Sequence, residues 1–319
     1  MGLRSWLFGG KSGVRPQHSA SPVEEADDNG FLSNIVDIPS RKFMGLSAKS
    51  PNNRFTIAWA DGSPDQSRVG RYLLLDQGRV VAEGKLARPN DGKVANNGVF
   101  ILNDWGSIAT LSGTFRAYHP DGKPILKRRF EANLYNNGLS QDGRLAVCQT
   151  ANSSDENDSA RLTIFDLDKG VELACFAPPS GWASAYSFSA DGQTIELHYP
   201  RGGQYAYGLN GEFIDRQKWI DDGLHAGDIY LIESLFAENG LKTTEEMARR
   251  LLEAIKAGLT AKQNADPKTQ ARLMRVAGEC FDSQGATALA LTWYDRALAL
   301  DPKIGVKRHA TALRKAAEG

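Results

Sequence analysis

Few side chains in this sequence have types and spacings that suit catalysis. Glu196 and His198 lie two residues apart in an apolar run, so on a β-strand both point to the same face. A carboxylate beside an imidazole is a possible acid–base pair. No nucleophile motif accompanies them, and a solvent-exposed strand face accounts for the same two residues. We therefore predict no catalytic residue.

Metal and phosphate sites are not expected either. The acidic loop 155–158 lacks the glycine and the distal glutamate of a calcium loop. Gly9–Ser12 resembles the end of a phosphate-binding loop, but Ser5 replaces the earlier glycine and no strand precedes it. Three cysteines are widely separated and show no CxxC spacing, namely Cys148, Cys175 and Cys280. The sequence thus predicts no metal, no cofactor and no disulfide, and Cys148 and Cys175 are expected to be small core residues.

The N-terminal segment has a composition suited to binding a surface. Its apolar residues Leu3, Trp6 and Phe8 are interleaved with basic ones, as in a short interfacial helix at an anionic membrane or in a docking peptide. So few apolar side chains predict at most weak, reversible membrane contact. The following residues are rich in Gly, Ser, Pro and acidic side chains, so we assign 1–30 to a flexible segment. The alternative is that this N-terminal segment has no function.

The length and charge of the chain limit the choice of function. At 319 residues it has the length of about two domains. Lys plus Arg and Asp plus Glu number 38 each, so no net charge favours nucleic acid or an acidic partner. The N-terminus lacks the apolar run of a signal peptide, and no stretch approaches the roughly 18 apolar residues of a membrane span. With free thiols and no export signal, we expect a cytoplasmic protein.

Two signatures recur four times between residues 46 and 219. In the first, an Asn or Asp turn precedes an apolar strand, and the markers are 44, 45 and 49 residues apart at Asn53, Asn97, Asp142 and Asp191. This spacing is the period of a propeller blade. In the second, a glycine turn joins two strands, at Gly78, Gly122, Gly170 and Gly211. Together they predict two hairpins, or four strands, in each repeat.

Particular motifs in these repeats resemble a known family. Two S-x-D-G sequences are each followed by a strand, at Ser140–Gly143 and Ser189–Gly192, and a further strand contains Phe165–Leu167. Over about residues 40–220, these motifs resemble WD40-like and related bacterial β-propeller repeats. The resemblance implies a four-bladed or partial β-propeller-like domain, assigned to 31–222. A closed four-blade ring, a fifth degenerate blade from residues 30–45 and an open arc are all compatible with it. A β-sandwich with regular turns is the alternative fold.

Helical spacing replaces the strand pattern after Trp219. Thr243 and Glu246 predict a capping box, and Gly258 is placed to end that helix. Two Asp-Pro pairs then predict two further helix starts, at Asp266-Pro267 and Asp301-Pro302. At least three helices are therefore expected after the sheets.

Between the two Asp-Pro pairs, the sequence resembles a tetratricopeptide unit over about residues 267–302. The residues at the consensus spacings are Gly278, Phe281, Ala290, Tyr294, Ala297 and Pro302. Gly278 and Ala290 are expected to let two antiparallel helices approach closely. The resemblance implies a TPR-like helical domain, assigned to 226–319, that binds a short segment or helix of a partner protein. Bracing of the propeller or a dimer contact is the alternative.

These patterns predict a multidomain β + α chain that acts as a non-catalytic adaptor and binds one or more proteins. The contacts are expected on the propeller rim loops and on the helical surface around Arg272, Arg275 and Lys307. One alternative is an enzyme whose site lies in the propeller funnel. Another is a weak membrane-surface adaptor that uses the N-terminal segment.

Overall fold

The computed structural model describes residues 34–63, 67–106, 111–200 and 203–318. The predictions for the segment 1–30, including Leu3, Trp6 and Phe8, therefore lie outside the described residues. The described part of the chain contains sixteen β-strands in four antiparallel sheets, followed by six α-helices.

Each sheet is an up-and-down meander whose strands follow chain order. The first sheet contains β1 (Ile35–Ile38), β2 (Phe43–Lys49), β3 (Phe55–Ala60), β4 (Gly70–Asp76) and β5 (Arg79–Leu86). The second contains β6 (Pro89–Val94), β7 (Phe100–Asp104), β8 (Gly113–Tyr118) and β9 (Pro124–Phe130). The third contains β10 (Leu134–Leu139), β11 (Leu145–Thr150), β12 (Leu162–Asp166) and β13 (Val171–Phe176). The fourth contains β14 (Ala185–Phe188), β15 (Thr194–His198) and β16 (Gln204–Gly208).

Four consecutive meanders are typical of propeller blades and differ from the two-sheet sandwich considered as the alternative. Two details differ from the sequence prediction. In the fourth repeat, Phe213 makes only an isolated bridge with Tyr207, so the expected fourth strand is absent from the described residues. The described part of 30–45 forms no separate blade, because β1 and the start of β2 belong to the first sheet.

Apolar cores lie between consecutive sheets. Ile57 and Leu74 of the first sheet pack against Phe100 of the second. Phe115 of the second sheet stacks on Phe165 of the third, with ring centroids 4.6 Å apart. A further core joins the third and fourth sheets. Among the described residues no such core joins the fourth sheet back to the first, so these sheets form an open row.

The six helices follow the fourth sheet directly. They are α1 (Arg216–Ala226), α2 (Ile229–Asn239), α3 (Glu245–Thr260), α4 (Pro267–Ser283), α5 (Thr287–Leu300) and α6 (Lys307–Glu318). Their apolar faces share one core, with Leu251, Phe281 and Tyr294 at its centre. None of the helices in the described residues is both long and apolar enough to span a bilayer.

Helix ends follow the predicted signals only in part. Asp266 caps α4 as predicted, because its Oδ1 accepts a hydrogen bond from Thr269 N at 2.9 Å. The cap of α3 is Thr244, not Thr243, since the Thr244 hydroxyl accepts from Met247 N at 3.2 Å. Position N3 after this cap is Met247 and not a glutamate, so the predicted capping box of Thr243 and Glu246 does not form.

Two predicted helix boundaries are wrong. Gly258 does not end α3, which continues to Thr260. It lies instead where α3 meets Gly227, and a Cβ there is only 2.9 Å from the Gly227 carbonyl oxygen. Asp301 does not begin a helix either, because it accepts from Lys303 N in a turn and α6 starts at Lys307.

The predicted close approach of the two helices around Gly278 is present. A Cβ at Gly278 on α4 meets the Tyr294 ring of α5 at 2.5 Å, and Tyr294 is fully buried. Ala290 is also fully buried between these helices. Gly278 and Ala290 thus allow the close helix packing that is expected of them. The tetratricopeptide assignment itself stays a prediction.

Helix α1 joins the helices to the sheets. Trp219 packs against both the helical core and the core between the third and fourth sheets. Its ring centroid lies 5.7 Å from that of Phe213. Beside it, the Lys218 ammonium lies 4.7 Å from the Tyr205 ring centroid, and Tyr205 OH donates to Asp222 Oδ2 at 3.3 Å. The two halves of the described chain therefore share apolar and polar contacts at this junction.

Candidate interaction site

The basic residues predicted to contact a partner are placed on the helices. Arg272 Nε donates to Glu233 Oε1 at 3.0 Å, and Arg275 donates to the same oxygen at 2.9 Å. The Arg272 guanidinium also lies 4.7 Å from the Tyr230 ring centroid. Hydrogen bonding to Glu233 raises the pKa of Arg272 further. Arg272 and Arg275 thus join α4 to α2, whereas Lys307 is an exposed residue at the start of α6.

Glu279 on α4 gives this cluster a pH dependence. Burial raises the pKa of its carboxyl group, and Arg275, at 3.7 Å, offsets this effect only in part. Since the pKa is higher in the folded chain than in the unfolded chain, the contribution to stability is complete below the unfolded value and declines as pH rises through the folded value. We expect Glu279→Gln to raise the free energy of unfolding at neutral pH and to remove this decline.

Urea unfolding from pH 4.5, the ordinary value for the group, up to neutrality measures this effect. Glu212→Gln is the matched control, because Glu212 is exposed at the Asn210–Phe213 turn. Equal pH dependence in the Glu279→Gln variant and the parent contradicts the prediction.

Glu196 and His198 lie on one face of β15 as predicted, and both contact Ser187 of β14. Ser187 Oγ is 3.0 Å from Glu196 Oε2 and 2.8 Å from His198 Nε2. An ionised carboxylate only accepts hydrogen bonds, so Ser187 donates to Glu196 and His198 donates to Ser187. An activated serine needs the opposite direction, with its proton passing to the imidazole. These contacts form a polar cross-strand network at the end of the sheet row.

The remaining reactive groups are held by structural contacts, with one difference from the prediction. Cys148 is fully buried, as expected, and burial raises the pKa of its thiol. Cys175 is exposed on β13, so its prediction as a core residue is wrong. In the acidic loop, Asp158 Oδ2 accepts from Glu131 N at 2.7 Å, and its Oδ1 pairs with Arg128. The described residues contain no cluster of three or more side chains that suits a metal ion.

The recurring polar turns form one end of the sheet row. Ser140 Oγ donates to Asp142 Oδ1 at 2.6 Å, and Ser50 Oγ donates to Asn52 Oδ1 at 2.7 Å in the first turn. Asn52, not Asn53, is therefore the residue that matches Asp142. We call this end the turn face, and it comprises residues 50–54, 95–99, 140–144 and 189–193.

Side chains of the turn face hold neighbouring sheets together. Asn52 N donates to Asn96 Oδ1 at 2.8 Å, which links the first two turns. Asn97 Nδ2 donates to the Asp142 carbonyl oxygen at 2.7 Å, which links the second turn to the third. The residues that made the repeat visible in the sequence thus have a structural role in joining sheets.

The opposite end, which we call the loop face, exposes large apolar side chains. It gathers the starts of β2, β6, β10 and β14 and the residues beside them. Met44 is 70% exposed and Val69 is 51% exposed. Tyr135 and Trp182 form an exposed aromatic pair with ring centroids 6.3 Å apart. Apolar groups clustered on a surface are typical of an interaction site.

A cleft of about 650 Å³ opens on the loop face between the first and second sheets. Met44, Leu46 and Val69 form its apolar rim. Trp59 lines its wall, and the indole Nε1 is buried without a hydrogen-bond partner among the described residues. The Asn90 side-chain oxygen, also at the cleft, is likewise buried without a hydrogen-bond partner among the described residues. A bound group that carries a hydrogen-bond acceptor and a donor supplies a partner to each of these two atoms.

The charges that line this cleft are mostly positive. Lys42, Arg68 and Arg71 line it, against one carboxylate, Asp61. Arg71 lies 3.8 Å from Glu83 Oε2 and is partly neutralised. No carboxylate of the described residues pairs with Lys42 or Arg68. The lining therefore favours a segment that combines apolar and negatively charged side chains.

A second cleft of about 430 Å³ adjoins the first and shares Arg68 and Val69 with it. Arg116 lines it and lies 3.3 Å from Asp104, which is nearly fully buried. Burial raises the pKa of Tyr118 in its wall, so this phenol remains a hydrogen-bond donor at neutral pH. Sequence reasoning missed both clefts, because their residues come from separate segments of two sheets and no local motif marks them.

No family model and no curated protein matches this chain. Among solved structures, it is similar to the C-terminal WD40 domain of Sif2, with 12% identity and a TM-score of 0.35 over 51% of this chain and 45% of that one. It is also similar to Hsv2 of Kluyvelomyces marxianus, with 11% identity and a TM-score of 0.36 over 53% and 48%. The chain thus spans about half the length of these two structures. Likeness at this level carries no argument about function.

Proposed function

We propose that this chain is a non-catalytic adaptor that binds a partner protein through the loop face. The observation that carries the proposal is the contrast between the two ends of the sheet row. Polar side chains of the turn face already bond to neighbouring sheets, whereas the loop face exposes apolar groups around a cleft. A partner that covers this face removes apolar surface from water and supplies an acceptor to Trp59 Nε1.

The helical surface around Arg272, Arg275 and Lys307 remains part of the proposal. Arg272 and Arg275 already pair with Glu233, so a partner carboxylate must replace Glu233 before it gains from either arginine. Lys307 needs no such exchange, since it is exposed and pairs with no carboxylate of the described residues. We therefore place the principal contact at the loop face and a secondary one near Lys307.

Affinity capture from native cells with paired variants tests the loop face. We expect Met44→Glu combined with Val69→Glu to reduce recovery of the partner about tenfold, because charges then replace apolar contacts at the cleft rim. Val171→Glu is the matched control, since Val171 on the outer strand β13 is 43% exposed. Lys307→Glu reports separately on the helical contact. Undiminished recovery with the double variant contradicts the proposal.

A further inference from the structure

The cleft between the first and second sheets contains two buried polar atoms that need opposite kinds of hydrogen-bond partner. Trp59 is only 7% exposed, and its indole Nε1 can only donate a hydrogen bond. Asn90 Oδ1 can only accept one. Neither atom pairs with a group of the described residues. Since a buried polar atom without a partner is unfavourable, the cleft favours a ligand that offers an acceptor to Trp59 and a donor to Asn90.

The two side chains are neighbours across the boundary between the sheets. The Trp59 ring on β3 lies against Gly92 of β6, where a Cβ is 3.3 Å from the ring carbon Cε3. Asn90 precedes Gly92 by two residues and lines the same cleft. It is the extra residue of a bulge, because Pro89 and Asp91 pair with consecutive residues of β7. Bulges redirect a side chain and are common beside binding sites.

The chemical groups of a polypeptide differ in what they offer to this pair of atoms. A carboxylate offers only acceptors, and an ammonium group offers only donors. A peptide bond is trans, so its N–H and C=O point in opposite directions and do not reach two neighbouring atoms together. A primary carboxamide carries a carbonyl oxygen and an N–H side by side. The side chains of glutamine and asparagine therefore match the pair.

The rest of the lining is consistent with a neutral polar group between apolar neighbours. Lys42 and Arg68 are exposed and pair with no carboxylate of the described residues, so they disfavour a cationic ligand. Met44 and Val69 offer apolar contacts at the rim. The two polar atoms lie below the surface of the cleft, so rim side chains must shift before a ligand reaches them. Met44 is unbranched and exposed, and can do so at little cost.

We propose that the cleft recognises a glutamine side chain of the partner, flanked by apolar residues. The glutamine carbonyl oxygen accepts from Trp59 Nε1, and its N–H donates to Asn90 Oδ1. Glutamine is preferred to asparagine, because both atoms lie below the surface and its side chain is one methylene longer. This inference rests on the proposed function and names the group that enters the cleft.

Fluorescence anisotropy with three peptides tests this recognition. The probe is a short fluorescein-labelled peptide with a central glutamine between leucines. In the comparators the glutamine is replaced by glutamate, which lacks the donor, or by methionine, which lacks both groups. We expect the full chain to bind the glutamine peptide at least about tenfold more tightly than either, because each comparator leaves a buried polar atom unpaired. Equal or tighter binding of the glutamate or methionine peptide, or no binding of the glutamine peptide up to about 1 mM, overturns the proposal.

Two variants of Trp residues assign the effect to the indole nitrogen. Trp59→Phe removes Nε1 but keeps an aromatic ring, and should weaken binding of the glutamine peptide about tenfold. Trp105→Phe is the matched control, because Nε1 of Trp105 donates to the Leu134 carbonyl oxygen at 2.9 Å. Equal binding by these two variants contradicts a role for Trp59 Nε1 and overturns the proposal.

Variants of Asn90 test the other atom independently of whether Trp59→Phe folds, since Asn90 is only partly buried. Asn90→Leu removes the acceptor and should weaken binding of the glutamine peptide about tenfold. Asn90→Asp retains an acceptor and should keep the preference for glutamine over methionine. Unchanged binding by Asn90→Leu, or loss of that preference in Asn90→Asp, overturns the proposal.

Failure of this inference can be distinguished from failure of the proposed function. If capture of the partner is lost in the double variant Met44→Glu, Val69→Glu but the three peptides bind equally, the loop face binds a partner without recognising glutamine. Selective binding of the glutamine peptide with undiminished capture in the double variant contradicts the proposed function instead.

Discussion

Replacing Trp219 by alanine is expected to lower the free energy of unfolding by about 2 to 4 kcal/mol, one of the largest effects of a single substitution in this chain. Trp219 is only half-buried, but it contacts two cores at once. Its removal leaves a gap beside Phe213 and weakens the apolar contact between α1 and the fourth sheet. Because the same side chain supports both halves, the loss of stability should extend to both.

Two probes distinguish a shared effect from a local one. Helical ellipticity follows the helices during urea unfolding, and hydrogen exchange at amides of β15 and β16 follows the fourth sheet. In the Trp219→Ala variant, the transitions reported by both probes should shift to lower urea concentration. Trp182→Ala is the control, since this exposed tryptophan belongs to neither core and loses mainly the hydrogen bond from its Nε1 to the Thr150 carbonyl oxygen, which should cost about 1 kcal/mol. A shift of the helical signal with unchanged exchange in β15 and β16 shows that the halves are independent.

The strands were predictable because their signals are local. Gly78 and Gly122 adopt φ values of 82° and 81°, a region that L side chains rarely enter, so a glycine was required at each hairpin. The apolar residues on either side then fixed which face is buried. The fourth repeat carried the same glycine, at Gly211, yet its last strand did not form. The residues after that turn lead into α1, where Phe213 packs on Trp219.

The helix ends and the binding surfaces were less predictable because they depend on contacts between distant residues. Thr243 and Thr244 are chemically equal as caps, and only the path of the chain before α3 selects the second. Arg272 was proposed as a partner contact because nothing in its local sequence shows Glu233, which lies 39 residues earlier and occupies it. The clefts of the loop face are assembled from distant segments in the same way. Local sequence patterns thus predicted the strands and helices. The interaction surfaces could be identified only from the three-dimensional structure, because they combine residues from distant segments.

Substitution of Gly278 tests the close contact between helices α4 and α5. In an exposed helix, Gly→Ala stabilises by about 1 kcal/mol, because alanine has the higher helix propensity. At Gly278 we expect the opposite sign, since the new Cβ meets two carbons of the Tyr294 ring at 2.5 Å. The ring is fully buried and has little room to move. Gly278→Ala should therefore destabilise the chain by about 1 to 2 kcal/mol, and Gly278→Val by about 2 to 3 kcal/mol.

A double-mutant cycle with Tyr294→Leu isolates this contact. Tyr294→Leu alone should destabilise the chain, because it leaves part of the site between α4 and α5 unfilled. In the Tyr294→Leu background, Gly278→Ala no longer meets the ring, so its cost should vanish or turn into a gain from helix propensity. Urea unfolding of the four proteins gives the coupling free energy, which we expect to exceed about 1 kcal/mol. Additive effects would mean that α4 and α5 adjust their spacing freely, and the close approach around Gly278 would then not determine how these helices pack.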